Sequence, residues 1–298
     1  MEPLGYFKKY IERFQQLNFN DFSEIYHSLY SDYENIQDRI EFSLLINPEN
    51  GFDLRFGLFK IYKPQKISSL FTKIGFEPFT LEKILSSVED FVPEFAVGID
   101  FNKKNPRTKV YLLRLPDNNI FNENPTEKIN IVSKLCNINL INCNKQEIRD
   151  CYLVAIDFYQ NNKQSIKIYT RNENVNLNII NSYLKNNHIS SQYFKTFQKL
   201  FPEGQLKDIT LSRKYSQIQN NTTGLSVFFE VKDNLNEHVE QLVKTCVPEK
   251  FSEFKKTVKN LEMNKPVKYS HIGVTFSENT KKENICLYFS PVMEDIKK

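Results

Sequence analysis

The chain repeats one polar phrase in two segments, Thr-Lys-Val-Tyr-Leu-Leu at residues 108–113 and Ile-Lys-Ile-Tyr-Thr-Arg at residues 166–171. Alternate side chains of a β-strand lie on the same face. One face of each strand therefore carries a lysine and a tyrosine, Lys109 with Tyr111 and Lys167 with Tyr169, and the other face is aliphatic. Such a sheet either exposes its polar side to water or lines a polar, aromatic cavity. Which of the two holds decides the function.

Composition narrows the class of protein. Aromatic residues make up 13% of the 298 residues, from 25 Phe and 15 Tyr, so many rings must be buried or line a cavity. The formal net charge is only +4, and acidic and basic residues are interspersed without a Lys/Arg block. This pattern argues against binding nucleic acid through bulk charge, and we expect no nucleic-acid partner.

Cysteine and histidine spacing gives no sign of a metal site. The five cysteines and four histidines form no CxxC, HxxxH or mixed zinc pattern, so we expect reduced thiols and no protein metal ligands. No run approaches the ~18 apolar residues of a membrane span. The amphipathic N-terminus, MEPLGYFKKYIERF, does not resemble a signal peptide. We therefore predict a cytoplasmic, soluble monomer that does not insert into membranes.

Helical and strand patterns alternate along the whole chain. Helices are predicted at 3–17, 20–33, 64–74, 79–90, 125–137, 174–186, 190–201, 234–244 and 248–261. Strands are predicted in pairs, at 39–46 with 52–61, 95–101 with 108–115, 149–158 with 165–171, 207–215 with 225–231, and 267–276 with 284–289. Turn residues such as Asn-Pro-Glu-Asn-Gly at 47–51 join the members of a pair.

This order predicts an α+β fold in a single domain spanning residues 1–298, with five rounds of helices followed by a hairpin. About ten antiparallel strands can close into a barrel, which removes exposed edges and encloses a cavity. In the first strand Ile40, Phe42 and Leu44 form an apolar face that would meet helices, and Glu41 would point inward. The alternative is a layered α+β domain whose polar strand faces meet solvent.

The ordered segments resemble a known family. Glu41–Phe59, VGIDFNKKNPRTKVYLLRL at 97–115, IDFYQNNKQSIKIYTR at 156–171, Leu206–Lys232 and NICLYF at 284–289 look most like the cyanobactin-type peptide prenyltransferases. These enzymes belong to the ABBA prenyltransferases, whose ααββ unit repeats five times around a barrel. No single phrase is specific, and the resemblance rests on the ordered set.

The resemblance implies roles for individual residues. Glu41 would be the glutamate near the acceptor, and the diphosphate-binding cations would be Arg55, Lys109, Lys167 and Lys214. Arg171, which ends the second polar phrase, is a further candidate for binding the diphosphate. The rings that shield the allyl cation would be Tyr111, Tyr169, Phe228 and Tyr288. Cys286 stands where relatives carry a basic residue in the last strand, which removes one cation from the implied site.

The resemblance also implies a reaction. A dimethylallyl or geranyl group would move from an allylic diphosphate to a Tyr, Trp or Arg side chain of a ribosomally derived, macrocyclic peptide. Mg²⁺ would bind mainly through the diphosphate oxygens, and the chain has no DDxxD motif of the helical prenyl synthases. Glu230 is a second inward acid by phase and is a candidate acceptor-binding residue, since two carboxylates would suit a cationic acceptor.

Two alternatives stay open at this point. An ABBA prenyltransferase could act on a small aromatic molecule instead of a peptide. A barrel could also bind a peptide or an amphipathic ligand without turnover, which would keep the tyrosines but would not need the cation cluster.

Overall fold

The structure, a computed structural model, describes most of the barrel and the helices packed around it. The described residues are 36–47, 51–61, 67–68, 71–72, 79–88, 94–100, 107–113, 125–140, 148, 150–159, 163–172, 176–186, 189–201, 204, 206–216, 222–231, 235–262, 267–277 and 282–289. Within these ranges the side chains of 36–40, 47, 51–61, 79, 94, 99–100, 113, 125, 127–128, 172 and 222–223 are not described.

Ten antiparallel strands form the centre of the molecule. They are β1 (Ile36–Asn47), β2 (Gly51–Ile61), β3 (Glu94–Asp100), β4 (Arg107–Leu113), β5 (Cys151–Tyr159), β6 (Gln164–Asn172), β7 (Leu206–Ser216), β8 (Thr222–Val231), β9 (Tyr269–Ser277) and β10 (Lys282–Phe289). Each strand pairs with the next along the chain, and β1 also pairs with β10, so the sheet closes into a barrel. All five predicted hairpins are therefore confirmed, and the layered alternative with an open sheet is wrong.

Strand alternation decides which residues face outward. Phe42, Leu44 and Ile46 of β1 are fully or almost fully buried and belong to the main hydrophobic core, as do Ile285 and Leu287 of β10. The same core includes residues from the surrounding helices. The apolar strand faces therefore meet helices, as the sequence predicted, and this burial is the main force that holds helices to barrel.

Six α-helices lie within the described residues. They are α1 (Phe79–Val88), α2 (Pro125–Leu135), α3 (Leu177–Asn186), α4 (Gln192–Leu200), α5 (Asn236–Cys246) and α6 (Phe251–Leu261), and a 3₁₀ turn, Pro248–Lys250, precedes α6. On α4 the Phe197 ring stacks on Phe229 of β8 at a centroid distance of 4.1 Å. Large aromatic contacts of this kind contribute strongly to burial and fix the helix on the sheet.

Helix α4 also shows how a strand residue fixes a helix end. The hydroxyl of Ser191 accepts a hydrogen bond from the Phe194 amide at 2.8 Å. Glu283, at the start of β10, accepts hydrogen bonds from the amides of Gln192 at 3.2 Å and Tyr193 at 2.9 Å. These acceptors satisfy donors that the helix itself leaves unpaired, so α4 is capped by its own sequence and by the barrel.

The first two predicted helices, 3–17 and 20–33, lie outside the described residues. Of the predicted helix 64–74, residues 67–68 and 71–72 are described, and they are helical. The fivefold repeat of the ααββ unit therefore stays a prediction, as does the single domain over residues 1–298. None of the helices in the described part of the chain is long and apolar enough to cross a membrane.

Candidate active site

A second, smaller apolar cluster lies apart from the main core. It contains Leu45, Ala155, Tyr169, Phe228 and Cys286, with Tyr111, Tyr152, Leu153 and Tyr288 packed against it. These residues come from six strands and lie on the faces opposite to the helix-covered ones, so they line the barrel interior. The lumen is therefore aromatic and largely buried at this level.

Cationic side chains surround one carboxylate next to this cluster. Asp157 of β5 is fully buried, and its carboxylate lies 3.3 Å from Arg107 Nη1, 3.4 Å from Lys109 Nζ and 3.7 Å from Lys214 Nζ. The Ser165 hydroxyl donates a hydrogen bond to the same carboxylate at 3.1 Å. We call Arg107, Lys109, Asp157, Lys167 and Lys214 the cation cluster.

The positive charges in the cation cluster lower the pKa values of Asp157 and Tyr159. Burial alone would raise the pKa of Asp157, but Arg107, Lys109 and Lys214 together hold it well below its ordinary value, so the group is a carboxylate. At the edge of the cluster Lys214 Nζ donates a hydrogen bond to the Tyr159 hydroxyl at 2.5 Å. Burial and Asp157 raise the pKa of Tyr159, yet Arg107 and Lys214 outweigh them and lower it.

Lys167 differs from the other cations of the cluster. It lies opposite Ala155 on one side and Lys214 on the other. Burial, followed by repulsion from Lys109, lowers the pKa of Lys167 well below its ordinary value. Burial and the neighbouring cations thus disfavour a positive charge on Lys167. An anion bound beside Lys167 would offset that cost.

Arg171 is not brought to the cation cluster. Its guanidinium contacts Asp208 through Nε at 3.0 Å and through Nη2, and it lies 3.5 Å from Glu230. The other oxygen of Glu230 accepts a hydrogen bond from Lys207 at 2.7 Å. Arg171 follows Lys167 by four residues on the same strand face, so the two cations lie at different levels of the barrel. The structure separates Arg171 from the described cations Lys109, Lys167 and Lys214 because its own acidic neighbours hold it.

Glu41 is held by residues from β9, 229 positions later in the chain. The Ser270 hydroxyl donates a hydrogen bond to Glu41 Oε1 at 3.0 Å. His271 Nδ1 lies 3.2 Å from the Ser270 hydroxyl and 3.7 Å from Glu41 Oε1. A register shift between β10 and β9 leaves Ser270 as an extra residue, and such a bulge re-aims side chains. Burial lowers the pKa of His271, so its imidazole is neutral near pH 7.

The predicted ring wall is assembled in the lumen. Phe228 and Tyr288 meet edge to face at 5.5 Å, and Lys109 Nζ lies 5.3 Å from the centroid of Tyr111. Burial raises the pKa values of Tyr169 and Tyr288 well above their ordinary range, so both phenols stay neutral. Cys286 lies among these rings and is almost fully buried. The last strand thus contributes a small thiol to the wall at the position where the resemblance led us to look for a cation.

Sequence reasoning missed Arg107, Asp157, Ser270 and His271. Strand phase was a usable signal for Asp157, because it shares a face with Ala155 and lies directly opposite Lys109. No local signal marks Ser270, since a bulge decides its direction. The side chain of Arg55, a predicted diphosphate ligand, is outside the described atoms; its backbone pairs with Ser43 and Asp100.

A protein-held metal site is not found. No group of three or more His, Cys, Asp or Glu side chains in the described part of the chain could bind a metal ion. The donor set of the cation cluster, three lysines, an arginine and one ion-paired carboxylate, does not suit Mg²⁺, which prefers several oxygen ligands.

We compared this architecture with those of known proteins. No protein-family model and no curated protein matches the sequence. Among solved structures, NotF prenyltransferase is similar with a TM-score of 0.65 and 15% identity, over 94% of this chain and 92% of that one. 6-Dimethylallyltryptophan synthase from Micromonospora olivasterospora, in complex with DMASPP and Trp, is similar with a TM-score of 0.67 and 12% identity, over 96% of each chain.

A further structure, NotF in complex with brevianamide F and DMSPP, has a TM-score of 0.61 and 14% identity, over 97% of this chain and 95% of that one. The similarity thus covers almost the whole chain in each case. The chain has the ABBA prenyltransferase fold. At these identities the likeness concerns the fold, and the cyanobactin-type resemblance within the ABBA prenyltransferases stays a prediction.

Proposed function

We propose that this protein is a prenyltransferase that moves an allylic group from a diphosphate donor to a small aromatic molecule inside the barrel. The observation that carries the proposal is the cation cluster, in which Arg107, Lys109 and Lys214 converge on one buried carboxylate beside a wall of aromatic rings. A barrel that only bound an apolar ligand would not need these partly buried cations, which are costly to desolvate.

The donor's diphosphate would bind at the cation cluster. Heterolysis of the allylic C–O bond leaves the electron pair, and hence extra negative charge, on the diphosphate. Arg107, Lys109, Lys167 and Lys214 would stabilise that charge in the transition state, in a site shielded from water. Lys167 contributes most as the anion arrives, because the incoming charge restores its proton affinity.

The allyl cation would form against the rings. Tyr111, Tyr169, Phe228 and Tyr288 present π-faces or ring edges to the same part of the lumen. A ring face attracts a cation by about 0.5–2 kcal/mol. Since Tyr169 and Tyr288 stay neutral, their oxygens are weak nucleophiles and are less able to trap the cation.

Glu41 would accept the proton that the acceptor loses. After the acceptor's π-electrons form the new C–C bond, the ring carbon holds a proton that must leave to restore aromaticity. For an N- or O-linked product the proton leaves the heteroatom instead. Ser270 orients the Glu41 carboxylate by its hydrogen bond, and a positioned carboxylate is a competent general base.

The proposal of a small aromatic acceptor follows the alternative that the sequence analysis left open. The sequence predicted a peptide acceptor, but the similar structures hold tryptophan beside DMASPP and brevianamide F beside DMSPP. Glu230, predicted to bind a cationic acceptor, is already engaged by Lys207 and Arg171. A neutral aromatic ring therefore fits the described lumen better than a guanidinium.

Mg²⁺ enters the proposal only as a partner of the donor. The described side chains do not form a magnesium site, so any Mg²⁺ would be bound through the diphosphate oxygens, and no step above depends on it. Activity should therefore respond to Mg²⁺ through donor affinity more than through the rate of the bound complex.

The test is product analysis. The protein is incubated with dimethylallyl or geranyl diphosphate, with and without Mg²⁺, and with tryptophan, brevianamide F or a tyrosine-containing macrocyclic peptide as acceptor. A mass gain of one prenyl unit on tryptophan or brevianamide F supports the proposal, and Glu41→Gln should abolish most of it. Prenylation of the macrocyclic peptide alone would restore the peptide hypothesis. Tight binding of acceptors without any product would favour a non-catalytic barrel.

A further inference from the structure

Asp157 is an acid in a place where the proposed reaction needs only cations. Its side chain has no exposure to solvent, and it lies at the centre of the cation cluster on β5. Lys109 lies directly opposite it on β4, and Ser165 lies directly opposite it on β6. Among the described groups around it, Arg107, Lys109 and Lys214 bring positive charge and Ser165 brings a hydrogen bond.

A carboxylate at this position reduces the repulsion between the cations when no other anion is bound. Three cations held within a few ångströms of one point in a poorly solvated lumen repel one another strongly. Without a counter-anion the lysines would lose protons or turn away. The carboxylate of Asp157 offsets part of this repulsion and gives each cation a fixed partner, so the cations stay charged and stay together.

The same carboxylate competes with a bound diphosphate. An anion that contacts Lys109, Lys214 and Arg107 must share them with Asp157, and it is repelled by the charge of Asp157 itself. Removing a partner from a buried ion pair leaves the remaining charge uncompensated. A polyanion is the ligand best able to compensate it.

We propose that Asp157 is the resident counter-anion of the donor site: it keeps Arg107, Lys109 and Lys214 assembled while the site is empty, shares them with the donor's diphosphate, and takes them back as the diphosphate product leaves. This inference rests on the proposed function, because it concerns the same site. Asp157 is a positioning residue in this scheme and forms no bond to the donor. Its presence weakens the grip on the product and so speeds turnover.

The decisive variant is Asp157→Asn, which keeps the shape and a hydrogen-bond acceptor but removes the charge. The probe is inorganic pyrophosphate, measured by isothermal titration calorimetry on the full chain. We expect the variant to bind pyrophosphate at least about tenfold more tightly than the wild type, a gain of about 1.4 kcal/mol. We also expect a lower melting temperature without pyrophosphate and a larger rise when it is added. In turnover, release of the product should become slower than chemistry and give a burst.

Asp208→Asn is the matched control. Asp208 is also a buried aspartate paired with an arginine, but its partner is Arg171 and it lies away from the cation cluster. This variant should leave the affinity for pyrophosphate unchanged. A purely structural role for Asp157 predicts a lower melting temperature with no gain in pyrophosphate affinity.

The possible outcomes distinguish the counter-anion role of Asp157 from the proposed function. If the wild type does not bind pyrophosphate, the donor site itself, and with it the proposed function, is wrong. If the wild type binds pyrophosphate but Asp157→Asn binds it equally or more weakly, only the counter-anion role is overturned. If Asp157→Asn folds poorly, recovery of the fold by pyrophosphate supports the role, and failure to recover contradicts it.

Discussion

Lys167 lowers the stability of the folded protein, although its charge would help to bind the donor's diphosphate. Burial and Lys109 lower its pKa well below the ordinary value, which means that folding disfavours its charged form. The unfolded chain keeps Lys167 fully protonated at neutral pH, so the folded state loses stability there. The loss diminishes as the pH rises towards the pKa of the unfolded state, because both states are then neutral.

Lys167→Met should therefore raise the melting temperature of the donor-free protein at neutral pH and weaken donor binding. A gain of about 1 kcal/mol corresponds to a rise of roughly 2–4 °C in a domain of this order. Thermal unfolding and pyrophosphate titration test the two effects together. Lys185→Met, at an exposed position on α3, should change neither, and a Lys167→Met protein with wild-type pyrophosphate affinity would remove Lys167 from the donor site.

Ser270 acts on Glu41 from the far end of the chain. Its hydroxyl is 3.0 Å from Glu41 Oε1, so Ser270→Ala leaves the carboxylate less well oriented. We expect kcat to fall by about ten- to one-hundredfold with little change in the KM for donor, since a hydrogen bond to a charged group contributes about 1.5–3 kcal/mol and about 1.4 kcal/mol is a factor of ten in rate. Steady-state kinetics measure the split, and Ser86→Ala on the exposed face of α1 is the control. An unchanged kcat would show that Glu41 does not depend on Ser270.

His271 gives the barrel a measurable acid sensitivity. It is surrounded by Glu41 from β1, Glu230 from β8, Asp208 and Lys207 from β7, Arg171 from β6 and Tyr288 from β10. Burial is the largest influence and lowers its pKa in the folded state. The unfolded chain then binds the proton more readily, so the free energy of unfolding falls as the pH drops below about 6.5.

The His271→Gln variant should not show this loss of stability at acidic pH. As the pH falls from neutral through about 6.5, the melting temperature of the wild type should fall more than that of the variant. Melting curves across a pH series measure that difference. A constant difference between the two proteins would mean that His271 has the same pKa in the folded and unfolded states.

At the scale of the elements, a glycine on one strand makes room for an aromatic ring of the neighbouring strand. The Phe228 ring of β8 lies over Gly273 of β9, where a Cβ atom would be 2.3 Å from Phe228 Cδ1 and 2.7 Å from Cε1. The absence of a side chain at Gly273 therefore lets the ring lie flat against the sheet. Tyr111 of β4 likewise lies over Gly98 of β3 in a looser contact, with 3.3 Å from a Cβ at Gly98 to Tyr111 Cε2.

Gly273→Ala should push the Phe228 ring into the lumen. We expect a loss of roughly 1–3 kcal/mol in the free energy of unfolding, as for other overpacked sites, together with a weaker acceptor affinity because the lumen narrows. Chemical denaturation and acceptor titration measure both. Gly98→Ala should have the smaller effect on stability. Equal losses in the two variants would contradict the ring placement over Gly273.

At the scale of the whole molecule, the pairing of β1 with β10 closes the sheet. Phe42 to Ile46 lie opposite Phe289 to Ile285 in a continuous antiparallel register. A closed barrel has no edge strand, so amides at this seam are as well hydrogen-bonded as those between strands that are neighbours in sequence.

Hydrogen exchange tests this closure directly. Peptides from 42–46 and 285–289 should exchange as slowly as peptides from the β5–β6 hairpin, because both are interior to the sheet. Mass spectrometry of exchanged peptides gives the rates, and the same peptides from denatured protein serve as the fast-exchanging reference. Fast exchange confined to the 42–46 and 285–289 peptides would indicate an open, curled sheet in solution.

The sequence alone determined all ten strands and their pairing into hairpins, because side-chain alternation and turn residues are local signals. It also identified Lys109, Lys167, Tyr111 and Tyr169 as residues of one face. The rings and cations could be assigned to an interior only through the expectation of a closed barrel. That expectation came from the number of strands and from the resemblance to the ABBA prenyltransferases.

Only the tertiary structure decided which charges meet. Asp157 gathers Arg107, Lys109 and Lys214 from two other strands, and Arg171, four residues from Lys167, is drawn away by Asp208. Ser270 reaches Glu41 across 229 residues because of a one-residue bulge. The physical reason is common to all three: alternation fixes the face on which a side chain lies, but strand register and barrel closure fix its neighbours, and no local stretch of sequence contains them.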